Sequence, residues 1–258
     1  MESPYLGIRR NKLIKSVQEY NKKEITFDLS IVNSIKQNGL KLPKELTLEL
    51  AEEVGIHIGD GHLSKDRYRY KLFGNINESD YYMYFIPKLY KTLFNINVKI
   101  ITRSDNTIGF EFCSKSLWLF KTKILVLPFG RKDNISVPEM IFYSDFEIQK
   151  SFIRGLFDTD GNVYFQSRYG YKDYYPVITL DLKPQQLAKD VKKILTNLGF
   201  KAVLYESKRG YFIVKLYGYE NILKYAKEIG WHNKKHIIKF LDWKENYSNI
   251  INRAAAEI

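Results

Sequence analysis

Apolar positions along this chain switch between helical and alternating spacing, and they do so in the same order twice. Val54-Gly55-Ile56-His57-Ile58-Gly59 reads as an apolar helix of small residues that ends in Asp60 and Gly61. Alternating side chains over 67–73 predict a strand, and 79–94 an amphipathic helix with Tyr82, Phe85, Ile86, Leu89 and Leu93 near helical spacing. Strands are predicted at 98–103 and 107–112 around a turn-like Ser104-Asp105-Asn106, with helix again over 114–125. The order then recurs. Arg154-Gly155-Leu156-Phe157-Asp158-Thr159 ends in Asp160-Gly161, followed by strands at 162–168 and 175–182 and a helix over 184–198. Strands at 202–206 and 211–217 and a helix over 219–229 complete the second copy.

Each copy therefore reads αββαββα, an α+β chain of two pseudo-symmetric halves. Four strands cannot bury both faces alone, so each sheet is expected to lie on its own helices with one face open. The expected organisation is a small basic helical extension over 1–46, a first half over 47–130, a polar linker over 131–145 and a second half over 146–250. The extension holds short helix candidates at 12–21 and 29–37, then a break at Leu42-Pro43. The final Arg-Ala-Ala-Ala-Glu-Ile reads as a frayed end outside the function.

Composition narrows the classes. The 258 residues are 45% hydrophobic, without a run of about 18 apolar residues that would span a bilayer. Cys113 is the single cysteine, which excludes an internal disulfide framework and a cysteine-rich zinc site. With no basic-then-apolar leader at the N-terminus, an intracellular, cytoplasmic protein is expected. The net charge of +12 is spread along the chain, which favours a polyanionic partner, nucleic acid above all.

The repeated helix carries the candidate chemistry. Gly55 and Gly59 stand four apart, as do Gly155 and Thr159, a spacing that lets a second helix approach at backbone distance. Packed on each other, the two helices would bring Asp60 and Asp160 face to face at their C-terminal ends. That is unfavourable for two acids, because each opposes its helix dipole and they repel. A bound divalent cation reverses both effects, and oxygen ligands without His or Cys point to Mg²⁺. Gly61 and Gly161 are expected to form left-handed caps that free the last carbonyls. Asp158 has Ile58 as its counterpart and reads as a helix-end acid or a supporting partner. His57 and His62 lack counterparts and read as packing or surface residues. His232 and His236 are four apart but show no third ligand, so a structural role is expected.

These residues resemble the LAGLIDADG homing endonucleases, in the single-chain form with two motifs. The resemblance covers about residues 45–245 and rests on 54–61, on Phe152-Ile-Arg-Gly-Leu-Phe-Asp-Thr-Asp-Gly161, on Gly130-Arg-Lys…Val137-Pro138 and on Asn233-Lys-Lys-His236. It implies that Asp60 and Asp160 bind the catalytic metal, Mg²⁺ with Mn²⁺ as a substitute, and that the carbonyls of Gly59 and Thr159 complete the inner shell. It implies metal-assisted hydrolysis of one phosphodiester in each strand of duplex DNA across the minor groove, leaving short 3′ overhangs. It also implies a monomer with internal two-fold pseudosymmetry, while an intron-encoded or a free-standing gene stays open. A basic residue beside each acid is a family habit, for which Lys115 and Lys183 are the candidates, with Gly74-Asn75 where the first half would offer one.

The alternating strands supply a binding logic. Arg67, Arg69 and Lys71 are expected on one face, opposite Tyr68, Tyr70 and Leu72. Tyr164, Gln166 and Arg168 alternate with Val163 and Phe165, and Lys99 and Arg103 share a face. With Lys65, Lys183, Lys208 and Lys215 these residues would form a concave saddle that follows the major groove. Two alternatives survive, a catalytically silent DNA-binding regulator and an RNA maturase that assists intron splicing. An intein is disfavoured by Met1 and by Glu257-Ile258 at the ends.

Overall fold

A computed structural model describes residues 24–33, 39–168 and 171–256. Helix α1 (Leu48–Gly59) is followed by β1 (Gly61–Ser64), β2 (Arg69–Asn75), α2 (Ile86–Phe94), β3 (Ile101–Thr102), β4 (Thr107–Cys113) and α3 (Lys115–Leu119). The second half runs α4 (Phe146–Asp160), β5 (Gly161–Arg168), β6 (Tyr171–Leu182), α5 (Gln185–Asn197), β7 (Ala202–Glu206), β8 (Phe212–Tyr217) and α6 (Tyr219–Glu228). A long helix, α7 (Lys234–Ala256), follows. The two sheets have the same order, β1-β2-β4-β3 and β5-β6-β8-β7, with every neighbouring pair antiparallel. Registers match as well, since Gly61 stands opposite Leu72 where Gly161 stands opposite Leu180. The expected α+β fold of two αββαββα halves is the observed one.

Alternation sets which face of each sheet is covered. Tyr70 and Leu72 on β2 and Ile108 and Phe110 on β4 are buried, while Arg69 and Lys71 between them are only half-buried. Val163, Ile178, Leu180, Val214 and Leu216 play the same part in the second half. In the first half the core also encloses an ion pair. Lys121 and Glu53, both fully buried, are bonded, and the same carboxylate oxygen accepts from Tyr90 at 2.5 Å. Tyr90 and Tyr70 hydroxyls stand 2.6 Å apart, a second bond in the same cluster.

Several sequence expectations are corrected. Residues 66–68 form a turn in which Arg67 and Tyr68 have φ of 53° and 52°, so Arg67 leaves the strand face and Tyr68 is exposed rather than covered. The strand predicted at 98–103 is only Ile101–Thr102 at an edge, which leaves Lys99 outside the sheet. The helix expected over 79–94 begins with a wider turn, Tyr81–Phe85, and the one over 114–125 ends with another, Phe120–Ile124. Periodicity of apolar residues does not report such local widening. The helix candidate at 12–21 lies outside the described residues. What is described of the expected N-terminal extension packs on the first half: Thr26 bridges Glu45, Phe27 meets Phe120 edge-on at 5.8 Å, and Val32 is buried.

Candidate active site

Both motif helices start on side-chain caps. Thr47 accepts from the Leu50 amide at 3.2 Å and Asp145 from the Ile148 amide at 3.0 Å. The helices then cross at their glycines. A Cβ on Gly55 would collide with the Phe152 carbonyl and stand 2.6 Å from the Leu156 nitrogen. One on Gly155 would collide with the Glu52 carbonyl. One turn further on, a Cβ on Gly59 would collide with the Thr159 hydroxyl and lie 3.4 Å from the Asp160 carboxyl carbon. Glycine thus allows backbone contact, and backbone contact forces the two carboxylates together.

Gly61 and Gly161 do not form the left-handed caps expected of them. Gly161 is extended, with φ −84° and ψ 162°, and Gly61 is absent from the positive-φ glycines. Their role is spatial. The chain doubles from helix to strand so tightly that a Cβ would sit 2.6 Å from His57 Nδ1 in the first half or from the Phe157 ring in the second.

The charge state of the pair follows from this crowding. Burial, then the charge of Asp160, raises Asp60 to about 7, against the opposing hydrogen bond from Tyr82. That phenol donates to Asp60 Oδ2 at 2.5 Å. It reaches the acid over Gly74, where any Cβ would overlap the Tyr82 ring at 2.5 Å. Burial likewise raises Asp160 to about 6, while Lys132 and Lys235 pull it down. Two acids that resist ionisation until a cation arrives are a donor set suited to a hard divalent metal.

The basic residues beside the acids are Lys132 and Lys235. Lys132 Nζ donates to four carbonyls at the end of α1: His57 at 3.2 Å, Ile58 at 2.7 Å, Gly59 at 2.5 Å and Gly61 at 2.8 Å. Burial holds it below the ordinary lysine range, although Asp160 and Asp60 favour its charge. Lys235 pairs with Glu78 at 2.7 Å, and Glu78 adds to the negative charge felt by both acids. Both stand in stretches that carry the resemblance, Lys132 in Gly130-Arg-Lys and Lys235 in Asn233-Lys-Lys-His236, but neither lies in a hydrophobic period that would single it out. Lys115 instead points its ammonium at the Tyr68 ring, 5.6 Å away, and Lys183 pairs with Asp133 at 3.1 Å.

Of the residues expected on the saddle, Arg69 and Lys71 lie on β2, and Tyr164, Gln166 and Arg168 on β5, where the register shifts between Gln166 and Arg168. Arg103 stacks on Phe73 at 3.5 Å and pairs with Glu111 at 3.1 Å, and Lys71 lies 3.8 Å from the same Glu111 carboxylate. Lys215 donates to the Tyr164 hydroxyl at 2.8 Å. Lys65 and Lys208 are exposed in turns. His57 is buried and stacked on Tyr70 at 5.6 Å, and His62 is exposed. Asp158 is not a solvated acid. It is fully buried and accepts from the amides of His232 at 2.8 Å and Asn233 at 3.2 Å.

Residues 147–230 match the family described as a LAGLIDADG-like domain. The chain is 29% identical over 174 residues to glutamine–fructose-6-phosphate aminotransferase of Methanocaldococcus jannaschii, which is 67% of this chain and 15% of that protein. It is 28% identical over 263 residues to the replication factor C small subunit of the same organism, 90% of this chain and 14% of that one. The chain thus spans about a seventh of the curated relatives it matches. Its fold is that of the homing endonuclease I-DmoI, with a TM-score of 0.50 and 19% identity over 70% of this chain and 88% of that one. Full-length DUF199/WhiA from Thermatoga maritima is alike in fold too, with a TM-score of 0.50 and 18% identity over 81% of this chain and 67% of that one. The second half thus carries a LAGLIDADG-like domain, and the first half repeats its helix–sheet plan, so one polypeptide holds both motif helices.

Proposed function

We propose that the chain is a site-specific endonuclease that hydrolyses one phosphodiester in each strand of duplex DNA and leaves short 3′ overhangs. The observation that carries this reading is the forced meeting of Asp60 and Asp160, each raised toward neutrality by burial. A pure binding protein gains nothing from that arrangement. Asp60 and Asp160 would hold Mg²⁺ (or Mn²⁺), with the carbonyls of Gly59 and Thr159 beside them. When bound, the metal would lower the pKa of a water and neutralise charge on the attacking and leaving oxygens. Lys132 would leave the Gly59 carbonyl and, with Lys235, offer an ammonium to the scissile phosphates. Tyr82 would keep Asp60 Oδ2 oriented. The open sheet faces would take the duplex, with Lys and Arg on phosphates and a few polar side chains on base edges.

The relatives support a self-contained module. An aminotransferase and a replication factor share nothing in name, yet each holds a stretch like this chain as about a seventh of its length. The shared stretch therefore supplies something other than either named activity.

The test is cleavage of a randomised duplex library in Mg²⁺, with the ends sequenced. Defined cuts should vanish in Asp60→Asn and Asp160→Asn and fall by roughly a hundredfold or more in Lys132→Met, the scale of losing one electrostatic stabiliser, while DNA binding persists in all three. A second reading, a DNA-binding regulator without cleavage, draws on Tyr82 and Lys132. Between them they satisfy Asp60 and the Gly59 carbonyl with no metal present. Enrichment of one bound sequence with no cut in Mg²⁺ or Mn²⁺ would establish that reading and dismiss the nuclease.

A further inference from the structure

We propose that Glu52, Asp158 and His232 form a second metal site, of zinc type, that ties the two motif helices to the chain leading into α7. Each offers one ligand atom, and the three atoms lie within 4.8 Å of one another. Tetrahedral bonds of about 2.0–2.1 Å put ligand atoms about 3.3 Å apart, so modest side-chain rotation closes the set. An imidazole with two carboxylates suits zinc, whereas Mg²⁺ prefers oxygen alone.

The atoms that would not bind metal are already occupied, so the others are presented. Arg154 donates to Glu52 Oε2 at 2.9 Å, leaving Oε1, which stands 2.6 Å from His232 Nδ1. Asp158 Oδ2 accepts the two backbone amides, and Oδ1, in a fully buried side chain, has no hydrogen-bond partner. Phe85 stacks on the His232 ring at 4.3 Å and fixes its plane. Such outer partners orient ligands at metal centres. The His232 side chain is 41% exposed, which gives an entry route and room for a water as fourth ligand.

This site is separate from the paired acids. Residues two apart on a helix point about 200° apart, so Asp158 and Asp160 leave α4 in opposite directions. Glu52 lies about 12 Å along α1 from Asp60. The proposal holds whether or not the protein cuts DNA.

The test uses the full chain carrying Asp60→Asn and Asp160→Asn, so that metal at the paired acids does not count. Titration with Zn²⁺ should show one ion per chain at micromolar affinity, and Co²⁺ should give the visible absorption of a tetrahedral nitrogen–oxygen site. Adding His232→Ala should weaken Zn²⁺ by roughly tenfold or more and abolish the Co²⁺ band, with the fold checked by circular dichroism. Glu52→Gln, which keeps the side chain's shape, should act the same way. Absence of Zn²⁺ binding, or binding that His232→Ala and Glu52→Gln leave unchanged, would overturn the site.

Discussion

At the scale of single residues, Asp60 is held in a state that folding alone does not favour. Its carboxyl is raised from an ordinary 3.8 to about 7, so the folded chain binds a proton that the unfolded chain releases between those values. The penalty of the buried charge is therefore full above pH 7 and disappears as pH falls toward 4. A tenfold change in proton affinity is worth about 1.4 kcal/mol, and even a third of the rise at Asp60, allowing for solvent screening, exceeds about 1 kcal/mol. Metal-free Asp60→Asn should therefore be more stable than the parent at pH 8 by roughly 1–2 kcal/mol, about 2–8 °C in Tm for a chain of this size. At pH 5 the gap should shrink to less than half, and it should close as pH falls toward 4. Thermal melts in chelator at both pH values check this, and an Asp60→Asn chain that melts lower at pH 8 would mean that the carboxylate stabilises the fold. The acids themselves are legible in the sequence because each ends a repeated apolar helix. Lys132 is not, since a side chain that reaches back from a linker leaves no trace in hydrophobic spacing.

At the scale of elements, the crossing of α1 and α4 decides both fold and site. The glycine spacing is legible because a steric requirement of this kind has few solutions: only glycine leaves room for a carbonyl of the other helix. Gly61 and Gly161 are ambiguous for a related reason. Asp-Gly after a helix fits a left-handed cap and a tight helix-to-strand reversal equally well, and only the packed His57 and Phe157 choose between them. Strand length is also hidden, as at Ile101–Thr102, where apolar alternation begins at Val98, before the first paired residue. Gly155→Ala should cost about 3 kcal/mol, the upper range for overpacking, because the obstacle is the Glu52 carbonyl and backbone cannot rotate away. Gly59→Ala meets the Thr159 side chain instead. Thr159 is bonded back to the Leu156 carbonyl at 3.0 Å and can give that bond up. Its cost should stay near about 1 kcal/mol, the low end for overpacking, and Thr159→Ala in the same chain should recover the part due to the hydroxyl, since the Cβ of residue 159 stays 2.8 Å away. Urea unfolding of the three variants measures the difference, and equal costs for Gly155→Ala and Gly59→Ala would refute the distinction.

At the scale of the molecule, 41 lysines and arginines outnumber 29 acids and leave a net +12, yet several of the cations expected on the saddle are paired with carboxylates. Glu111 on β4 engages both Arg103 and Lys71, two of the cations expected on the saddle, while Asp66 engages Arg69 at 3.6 Å and Asp133 engages Lys183. The sequence displays these cations and gives no sign of their partners, because cross-strand pairing depends on register: Glu111 stands directly opposite Lys71. On the proposed reading, each phosphate contact releases condensed counterions, and affinity for duplex falls with salt by about 0.9 log units per contact for each log unit of salt. A lysine or arginine must leave its carboxylate before it can contribute. Glu111→Gln frees two at once and removes one negative charge from the DNA-facing side. Its affinity for a non-specific duplex should rise about threefold to tenfold near physiological salt, and the salt slope should steepen by about 0.9 for each freed cation that reaches a phosphate. Fluorescence anisotropy across a salt titration reads both quantities together. A tighter complex with an unchanged slope would mean that the lost carboxylate merely repelled DNA. No change in either would place the duplex away from β2 and β4, and would remove the first sheet from the proposed saddle.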